Sequence, residues 1–97
     1  MIKLKNGTTI VDNHEQDCCE NVYADWSALE DTTFHDEVVS FEQLELKEEH
    51  EGFSINGYFV PCYDQQNGYY SNNLEIVAKS VNGDVKRIDA DSKWEDY

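Results

Sequence analysis

The chain has 97 residues, a length typical of a single domain, and its formal net charge at pH 7 is −14. No stretch approaches the roughly 20 apolar residues that a membrane-spanning helix needs, and the N-terminus lacks the pattern of a secretion signal. We therefore expect a cytoplasmic protein without membrane contact. Because a negative field repels nucleic-acid phosphates and attracts basic surfaces, we also expect no direct binding of nucleic acid.

Turn signals recur along the whole chain. Asn-Gly, in which both residues tolerate the positive φ of a type I′ hairpin turn, occurs at 6–7, 56–57, 67–68 and 82–83. Segments rich in strand-forming residues flank three of these pairs and predict strands near 2–5 and 8–12, near 52–55 and 57–62, and near 74–80 and 84–89. The buried side of the last pair of strands would consist of Ile76, Ala78 or Val77, Val85 and Ile88.

The segment between the first hairpin and Ser27 has the pattern of a helix. It contains neither Gly nor Pro, and its apolar residues are spaced by one, three and four positions: Cys18, Cys19, Val22, Tyr23 and Trp26. Asn13 would cap a helix over about 15–26, and Ser27 would cap a short turn after it.

The remaining segments are less regular. Residues 38–46 favour a strand, but the alternation slips between Phe41 and Leu44, which predicts a bulge or an irregular strand. Pro61 has no N–H group and should lie at a sheet edge or at the end of a strand. Residues 91–97 would form an acidic tail that frays from a compact domain over 1–90. Together these elements predict an α+β domain with a small antiparallel sheet of about five or six strands, hairpins, and one main helix.

The three cysteines are an odd number, which is typical of free thiols in a reducing compartment. His14 and Cys18 would share a helical face, and with Cys19 and Cys62 they are candidates for a zinc site. A fourth ligand would have to come from Asp17, His35 or His50. The paired spacing of familiar zinc motifs is missing, and a thiol also packs well as a small buried hydrophobe. A nucleophilic thiol next to His14 is the other alternative, although the surrounding carboxylates would raise its pKa. We expect core packing, no metal, no cofactor and no catalytic residue.

A nearly uncharged segment rich in tyrosine and amide side chains is the first candidate for a binding surface. It contains Tyr58, Tyr63, Gln65, Gln66, Asn67, Tyr69, Tyr70, Asn72 and Asn73. Tyr supplies rigid contact area together with a hydroxyl group, and Asn and Gln supply adaptable hydrogen bonds. The alternative is cross-strand aromatic packing that fixes the register of a hairpin.

The acidic residues form the second candidate surface, and they are concentrated in the first half of the chain. The set consists of Asp12, Glu15, Asp17, Glu20, Asp25, Glu30, Asp31, Asp36, Glu37, Glu42, Glu45, Glu48, Glu49 and Glu51. Such a surface would dock on a basic patch of another protein, as a nucleic-acid mimic does. The alternative is that the carboxylates only keep the protein soluble.

Two sequence segments carry a resemblance to a known group of proteins. HEQDCCE at 14–20 and PCYDQQNGYYS at 61–71 resemble segments of an uncharacterised family of small acidic proteins of phages and bacteria. The resemblance covers most of residues 1–80 and implies a bacterial or phage-infected cell as the setting. It implies no activity, but it suggests that His14, Cys18 or Cys19, and Cys62 meet in one site.

The sequence therefore supports two functional hypotheses. The first is a small, acidic, non-enzymatic interaction protein, such as a phage accessory or inhibitor protein that binds a basic host or defence protein. The second is a domain that captures a small molecule or nucleotide with the segment 58–73, where aromatic rings would stack on a base. Few cationic side chains and no glycine-rich loop are available to hold phosphates, which counts against the nucleotide.

Overall fold

The computed structural model describes residues 1–13, 20–30, 32, 34, 40–66 and 74–96, and only the backbone of Glu20, Gln66 and Asp96. Within these residues the protein is mostly β, with two sheets, one short α-helix and one 3-10 helix. The elements are β1 (Ile2–Lys3), β2 (Thr9–Asn13), β3 (Glu20–Ala24), α1 (Ser27–Glu30), the 3-10 helix (Phe41–Gln43), β4 (Leu46–Glu49), β5 (Gly52–Ile55), β6 (Tyr58–Gln66), β7 (Leu74–Lys79), β8 (Val85–Ala90) and β9 (Lys93–Asp96).

The first sheet has the strand order β1-β2-β7-β8, and all its pairs are antiparallel. The second sheet has the order β3-β6-β5-β4, and β9 joins β6 as a parallel partner. β6 is the centre of the second sheet, because its first half pairs with β5 and its second half pairs with both β3 and β9. Any side chain on the second half of β6 is therefore held between two neighbouring strands.

The Asn-Gly pairs form turns of two kinds. Asn56 and Gly57 have φ of 49° and 86°, as a type I′ turn requires, and they join β5 to β6 directly. At the other two described pairs only the glycine has positive φ, 89° at Gly7 and 91° at Gly83. There the loop is one residue longer and closes as a type I turn followed by a left-handed glycine. The three predicted hairpins are confirmed, and the pair at 67–68 lies outside the described residues.

Buried side chains of both sheets form one continuous hydrophobic cluster. Ile10, Ile76 and Ala78 enter it from the first sheet, and Phe53 and Val60 enter it from the second. The predicted burial of Ile76 and Ala78 is confirmed, whereas the prediction for Val85 is wrong. Val85 pairs with the exposed Lys79, so it lies on the outward face of its sheet and stays 43% exposed.

The helix predicted over about 15–26 is wrong for the part that the structure describes. Glu20–Ala24 is strand β3, and its residues alternate, with Val22 and Ala24 buried and Asn21 exposed. A segment this short satisfies both a helical and a strand spacing, and pairing with β6 decides between them. The described helix is only the single turn Ser27–Glu30, and residues 14–19 lie outside the described residues.

The structure differs from the prediction in three other places. In the described part of the segment 38–46, which is residues 40–46, Phe41–Gln43 form the 3-10 helix and only Leu46 belongs to a strand. The tail expected to fray after Ala90 contributes β9, which pairs with β6 over Lys93–Asp96. With nine strands in the described part, the two sheets together exceed the five or six strands expected. None of the described helices has the length and apolar character needed to cross a membrane.

Pro61 lies inside β6, but at the place where the ladder with β3 ends. Its carbonyl oxygen accepts a hydrogen bond from the Asp25 N–H at 2.8 Å, and the last paired residues of this ladder are Ala24 and Cys62. Because proline has no N–H to return that bond, the ladder stops there without an unpaired donor. The prediction of a strand end therefore holds for the pairing with β3. Pro61 still lies within β6, where it pairs with Gly52 of β5.

Lys86 ties the first sheet to the segment that enters the second. Its Nζ donates to the carbonyl oxygens of Phe41, Glu42 and Leu44 at 2.8, 3.2 and 2.9 Å. The same ammonium lies 5.0 Å from the centre of the Phe41 ring. A single charged side chain of β8 thus satisfies the carbonyl groups at the end of the 3-10 helix.

Candidate functional site

The outward face of the second sheet carries three aromatic side chains, of which Phe59 is exposed and Tyr23 and Tyr63 are half-buried. Along β6, side chains alternate between the core, where Val60 and Cys62 are buried, and solvent, which Phe59 and Tyr63 face. Cross-strand pairing places residues of β3 on the same side. We call this surface the aromatic face and define it by Asn21, Tyr23, Phe59, Pro61, Tyr63 and Gln65.

Tyr23 and Tyr63 form the centre of the aromatic face. They are direct cross-strand partners, and their ring centres are 5.5 Å apart with the planes tilted by 38°. Burial raises the pKa of Tyr23, and the nearby Glu95, Tyr63 and Asp25 raise it further. The Tyr23 phenol therefore keeps its proton at neutral pH and can act as a hydrogen-bond donor.

Phe59 is a large apolar side chain that remains 48% exposed. Its ring lies against the backbone of Gly52 on the neighbouring strand, where a β-carbon would come within 2.8 Å of the ring atom Cζ. Only glycine leaves room for this arrangement. The ring is therefore supported from behind by the sheet and presents its other side to solvent.

The amide side chains of the aromatic face form a short hydrogen-bonded row across three strands. Asn21 Nδ2 donates to Gln65 Oε1 at 3.4 Å, and Gln65 Nε2 donates to Glu95 Oε2 at 3.2 Å. These two bonds fix the orientation of the Gln65 amide. A ligand would therefore meet donors and acceptors whose positions are already set.

A shallow crevice borders the aromatic face at Phe59. Its volume is about 410 Å³, and it is lined by Glu45, Lys47, Glu49, Ser54, Gly57 and Phe59. The carboxylates of Glu45 and Glu49 and the ammonium of Lys47 thus border the same crevice as the exposed Phe59 ring. Lys93 pairs with Tyr63 at the other end of the face. The charges bordering the face are of both signs.

The residues predicted for the tyrosine and amide surface are divided by the fold. Tyr63 and Gln65 lie on the aromatic face, but Tyr58 points to the opposite side, where its ring packs 5.6 Å from that of Phe34. Gln66 belongs to β6, and its side chain lies outside the description. The other predicted members also lie outside the described residues: Asn67, Tyr69, Tyr70, Asn72 and Asn73.

Sequence reasoning missed Asn21 and Tyr23 as members of this face. The predicted helix over about 15–26 includes both, whereas in the structure residues 21–24 alternate between more exposed and buried positions, as a strand does. Phe59 was recognised as an aromatic residue of the segment but not as an exposed one, because its direction depends on the register with β5.

Several of the predicted acidic residues have structural roles. The carboxylate of Asp12 accepts from the Ala24 N–H at 2.9 Å and from Trp26 Nε1 at 3.2 Å, which links β2 to β3 and the start of α1. Asp25 accepts from the N–H and the hydroxyl of Ser27, so Asp25 rather than Ser27 caps this turn.

Other predicted acids stay exposed and surround the sheets. These are Glu30, Glu42, Glu45, Glu48 and Glu49, and Glu51 is half-buried. The side chain of Glu20 is not described, and Glu15, Asp17, Asp31, Asp36 and Glu37 lie outside the described residues.

Cys62 is a buried structural thiol. Its side chain is fully inaccessible on the core side of β6, and burial, followed by the charges of Asp12 and Asp91, raises its pKa to about 12. A thiol of this kind stays protonated and is a poor nucleophile and metal ligand. The other candidates, His14, Cys18 and Cys19, lie outside the described residues. Among those that are described, no three His, Cys, Asp or Glu side chains are grouped as metal ligands.

Comparison of the chain with protein-family models, with curated proteins and with solved structures gave no match. The family resemblance noted in the sequence therefore stays a prediction, and the geometry of the aromatic face carries the functional argument.

Proposed function

We propose that the protein is a non-enzymatic interaction protein that docks on a basic surface of another protein through its aromatic face. The observation that carries this proposal is the row formed by Tyr23, Tyr63 and Phe59, held on the solvent side of a sheet whose other side is the core. Rigid aromatic side chains at the centre of a surface are the usual anchors of protein–protein interfaces, because they bury a large area and lose little conformational freedom.

The support beneath these rings favours a preorganised surface. Tyr23 and Tyr63 brace each other across two strands, and Phe59 rests on the Gly52 backbone. Gln65 is fixed between Asn21 and Glu95. A surface that is already ordered loses little entropy when it binds, so more of the contact energy remains as affinity.

The net charge favours a basic partner. Two of the seven cationic side chains, Lys47 and Lys93, border the aromatic face, where they offset two of the three carboxylates Glu45, Glu49 and Glu95. The contact area itself is thus close to neutral, which limits the cost of removing water from charged groups. The remaining excess of carboxylates acts at longer range, where it attracts a basic surface and accelerates association.

The test is affinity capture from a lysate of the native host, with the wild-type protein, Tyr63→Ala and Phe59→Ala as baits. Val81→Ala is the matched control, because Val81 is an apolar side chain that is 72% exposed in the turn before β8. We expect a protein that is retained by the wild type and by Val81→Ala and lost from both aromatic variants.

The salt dependence of the captured complex tests the charge argument. Retention should fall steeply between about 50 mM and about 500 mM NaCl, since long-range attraction is screened over that range. Binding that survives both aromatic substitutions, or that does not respond to salt, would reject the proposal. A ligand retained on the purified protein in native mass spectrometry would instead favour small-molecule capture.

A further inference from the structure

The Asn-Gly pairs that close the hairpins are also positions where the chain can modify itself. The backbone nitrogen of the glycine attacks Cγ of the asparagine and forms a C–N bond, while the side-chain nitrogen leaves as ammonia with the proton of the glycine N–H. Water then opens the cyclic imide at either carbonyl and leaves aspartate or isoaspartate. Because the asparagine side chain has to turn toward the glycine nitrogen, hydrogen bonds that hold this side chain slow the reaction.

Two of the three described pairs lie in turns with the same backbone hydrogen bonds. The N–H of the first residue donates to the carbonyl oxygen of the fifth, at 2.8 Å in the turn 4–8 and at 2.9 Å in the turn 80–84. The glycine N–H donates to the carbonyl oxygen of the first residue, at 3.0 Å from Gly7 and at 3.1 Å from Gly83. The attacking nitrogen is therefore held equally in both turns, and the side chains make the difference.

The two turns differ in the group that satisfies the N–H of their fifth residue. In the first turn, Oδ1 of Asn6 accepts from the Thr8 N–H at 3.0 Å, which holds the asparagine side chain. In the second turn, the hydroxyl of Ser80 accepts from the Asp84 N–H at 3.1 Å and from the Asn82 N–H at 3.2 Å. The Asn82 side chain is exposed, and it makes no hydrogen bond within the part of the chain that the structure describes.

The asparagine of the third described pair is held at both ends of its amide. Oδ1 of Asn56 accepts from the Glu45 N–H at 2.7 Å, and Nδ2 donates to the carbonyl oxygen of Gln43 at 3.3 Å. Both bonds have to open before Cγ can turn toward the nitrogen of Gly57. Asn56 thus resembles Asn6 in having a restrained side chain.

We propose that Asn82 is a site of spontaneous deamidation in the folded protein, and that hydrogen bonds of their side chains protect Asn6 and Asn56. The co-reactant is water, which reaches the turn because residues 81–84 are exposed. The product adds a carboxylate beside Asp84 and makes the protein more acidic. The turn belongs to the first sheet and the aromatic face to the second, so this inference is independent of the proposed docking.

The experiment compares the three asparagines within the same molecule. The full chain is incubated at neutral pH, folded in buffer and unfolded in guanidinium chloride, and samples are digested with trypsin at intervals. The asparagines then lie in the separate peptides 6–47, 48–79 and 80–86. Tandem mass spectrometry assigns each exchange of an amide for a carboxylate to its residue, and the sample taken at the start corrects for deamidation during digestion.

In the folded protein, we expect Asn82 to deamidate at least about fivefold faster than Asn6 and Asn56, because a hydrogen bond that must open first slows the reaction by about that factor. In guanidinium chloride the three rates should become similar, since each pair then has the same Asn-Gly sequence in a chain without fixed hydrogen bonds. The proposal is overturned if Asn82 is not the fastest of the three in the folded protein, or if the same difference persists in the unfolded chain.

Ser80→Ala tests the cause of the difference. Without the hydroxyl, the Asp84 N–H is open to Oδ1 of Asn82, as the Thr8 N–H is to that of Asn6. Deamidation of Asn82 should therefore slow by about fivefold, to the rate of Asn6, whose own rate is the internal control and should not change. Circular dichroism will show that the variant is folded. An equal or higher rate at Asn82 would overturn the role assigned to the serine hydroxyl.

Discussion

At the scale of single residues, the shape of the aromatic face depends on a position where the neighbouring atoms leave no room for a side chain. That position is Gly52. A β-carbon at Gly52 would collide with the carbonyl oxygen of Val60 and press on the ring of Phe59. Cys62 lies on the core side of β6, the strand that carries Phe59 on its other side, and burial there keeps the thiol protonated. Neither residue would contact a partner, yet both set the shape of β6.

We predict that Gly52→Ala lowers the free energy of unfolding by about 2 to 3 kcal/mol, because the backbone oxygen of Val60 cannot move aside as a side chain would. Gly57→Ala is the matched control. Gly57 has φ of 86° but no neighbouring atom within 4 Å of a new β-carbon, so only the conformational cost of about 1 kcal/mol applies. Urea denaturation measures both values, and an equal loss in the two variants would contradict the steric argument.

We predict that Cys62 makes the protein less stable at high pH. The pKa of the thiol rises from 9.0 to about 12 on folding. Between these values the unfolded chain releases the thiol proton while the folded chain keeps it, so raising the pH favours unfolding by about 1.4 kcal/mol per pH unit. The stabilising effect is complete below pH 9 and is lost as the pH rises toward 12.

Cys62→Ala provides the comparison for this pH effect, because it removes the thiol and keeps the other titrating groups. Its unfolding free energy should fall less steeply than that of the wild type between about pH 9 and about pH 11. If the unfolding free energies of the two proteins fall equally with pH, the pKa of the thiol does not change on folding and the prediction is wrong.

At the scale of elements, local patterns predict the hairpins, and long-range pairing decides the rest. The strands β5 and β6 follow from Asn56-Gly57 and the segments that flank it. β3 cannot be predicted in this way, because the four residues Asn-Val-Tyr-Ala fit a helical period and a strand period equally well. Only their pairing with β6 decides for the strand. β9 pairs in parallel with a strand about 30 positions earlier in the chain. The residues around Trp94 contain no sequence pattern that predicts this pairing.

The candidate site divides in the same way between what is local and what is not. Tyr63 and Gln65 are predicted from the sequence because they belong to a segment that is rich in tyrosine and amide side chains. Tyr58 was assigned to the same surface, but an odd separation of five positions along a strand puts it on the other side from Tyr63. Tyr23 reaches the face only through the register of β3, which the helical interpretation excluded.

We predict that Lys86→Met lowers the free energy of unfolding by about 1 to 2 kcal/mol. Methionine keeps the apolar stem against Phe41 but loses the donor that satisfies the carbonyl oxygens of Phe41, Glu42 and Leu44. Lys79→Met, an exposed position one row away in the same sheet, should change stability by less than about 0.5 kcal/mol. Thermal denaturation at low protein concentration compares them, and similar melting temperatures would mean that Lys86 does not join the sheets.

At the scale of the whole molecule, the distribution of charge separates two near-neutral faces from an acidic remainder. Five of the seven cationic side chains lie on the outward faces of the sheets, three on the first and two on the second. The exposed carboxylates Glu30, Glu42 and Glu48 lie outside both faces. A partner would be attracted by the whole molecule and would then make its contacts where the local charge is small.

The most direct test of this account is a titration of the isotope-labelled protein with the captured partner, followed by amide chemical shifts. We predict that the largest changes fall on the backbone amides of Asn21, Tyr23, Phe59, Tyr63 and Gln65, and that Val11, Val77 and Arg87 change little. Changes concentrated on the first sheet, or spread along the exposed carboxylates with the aromatic face unaffected, would contradict the central claim.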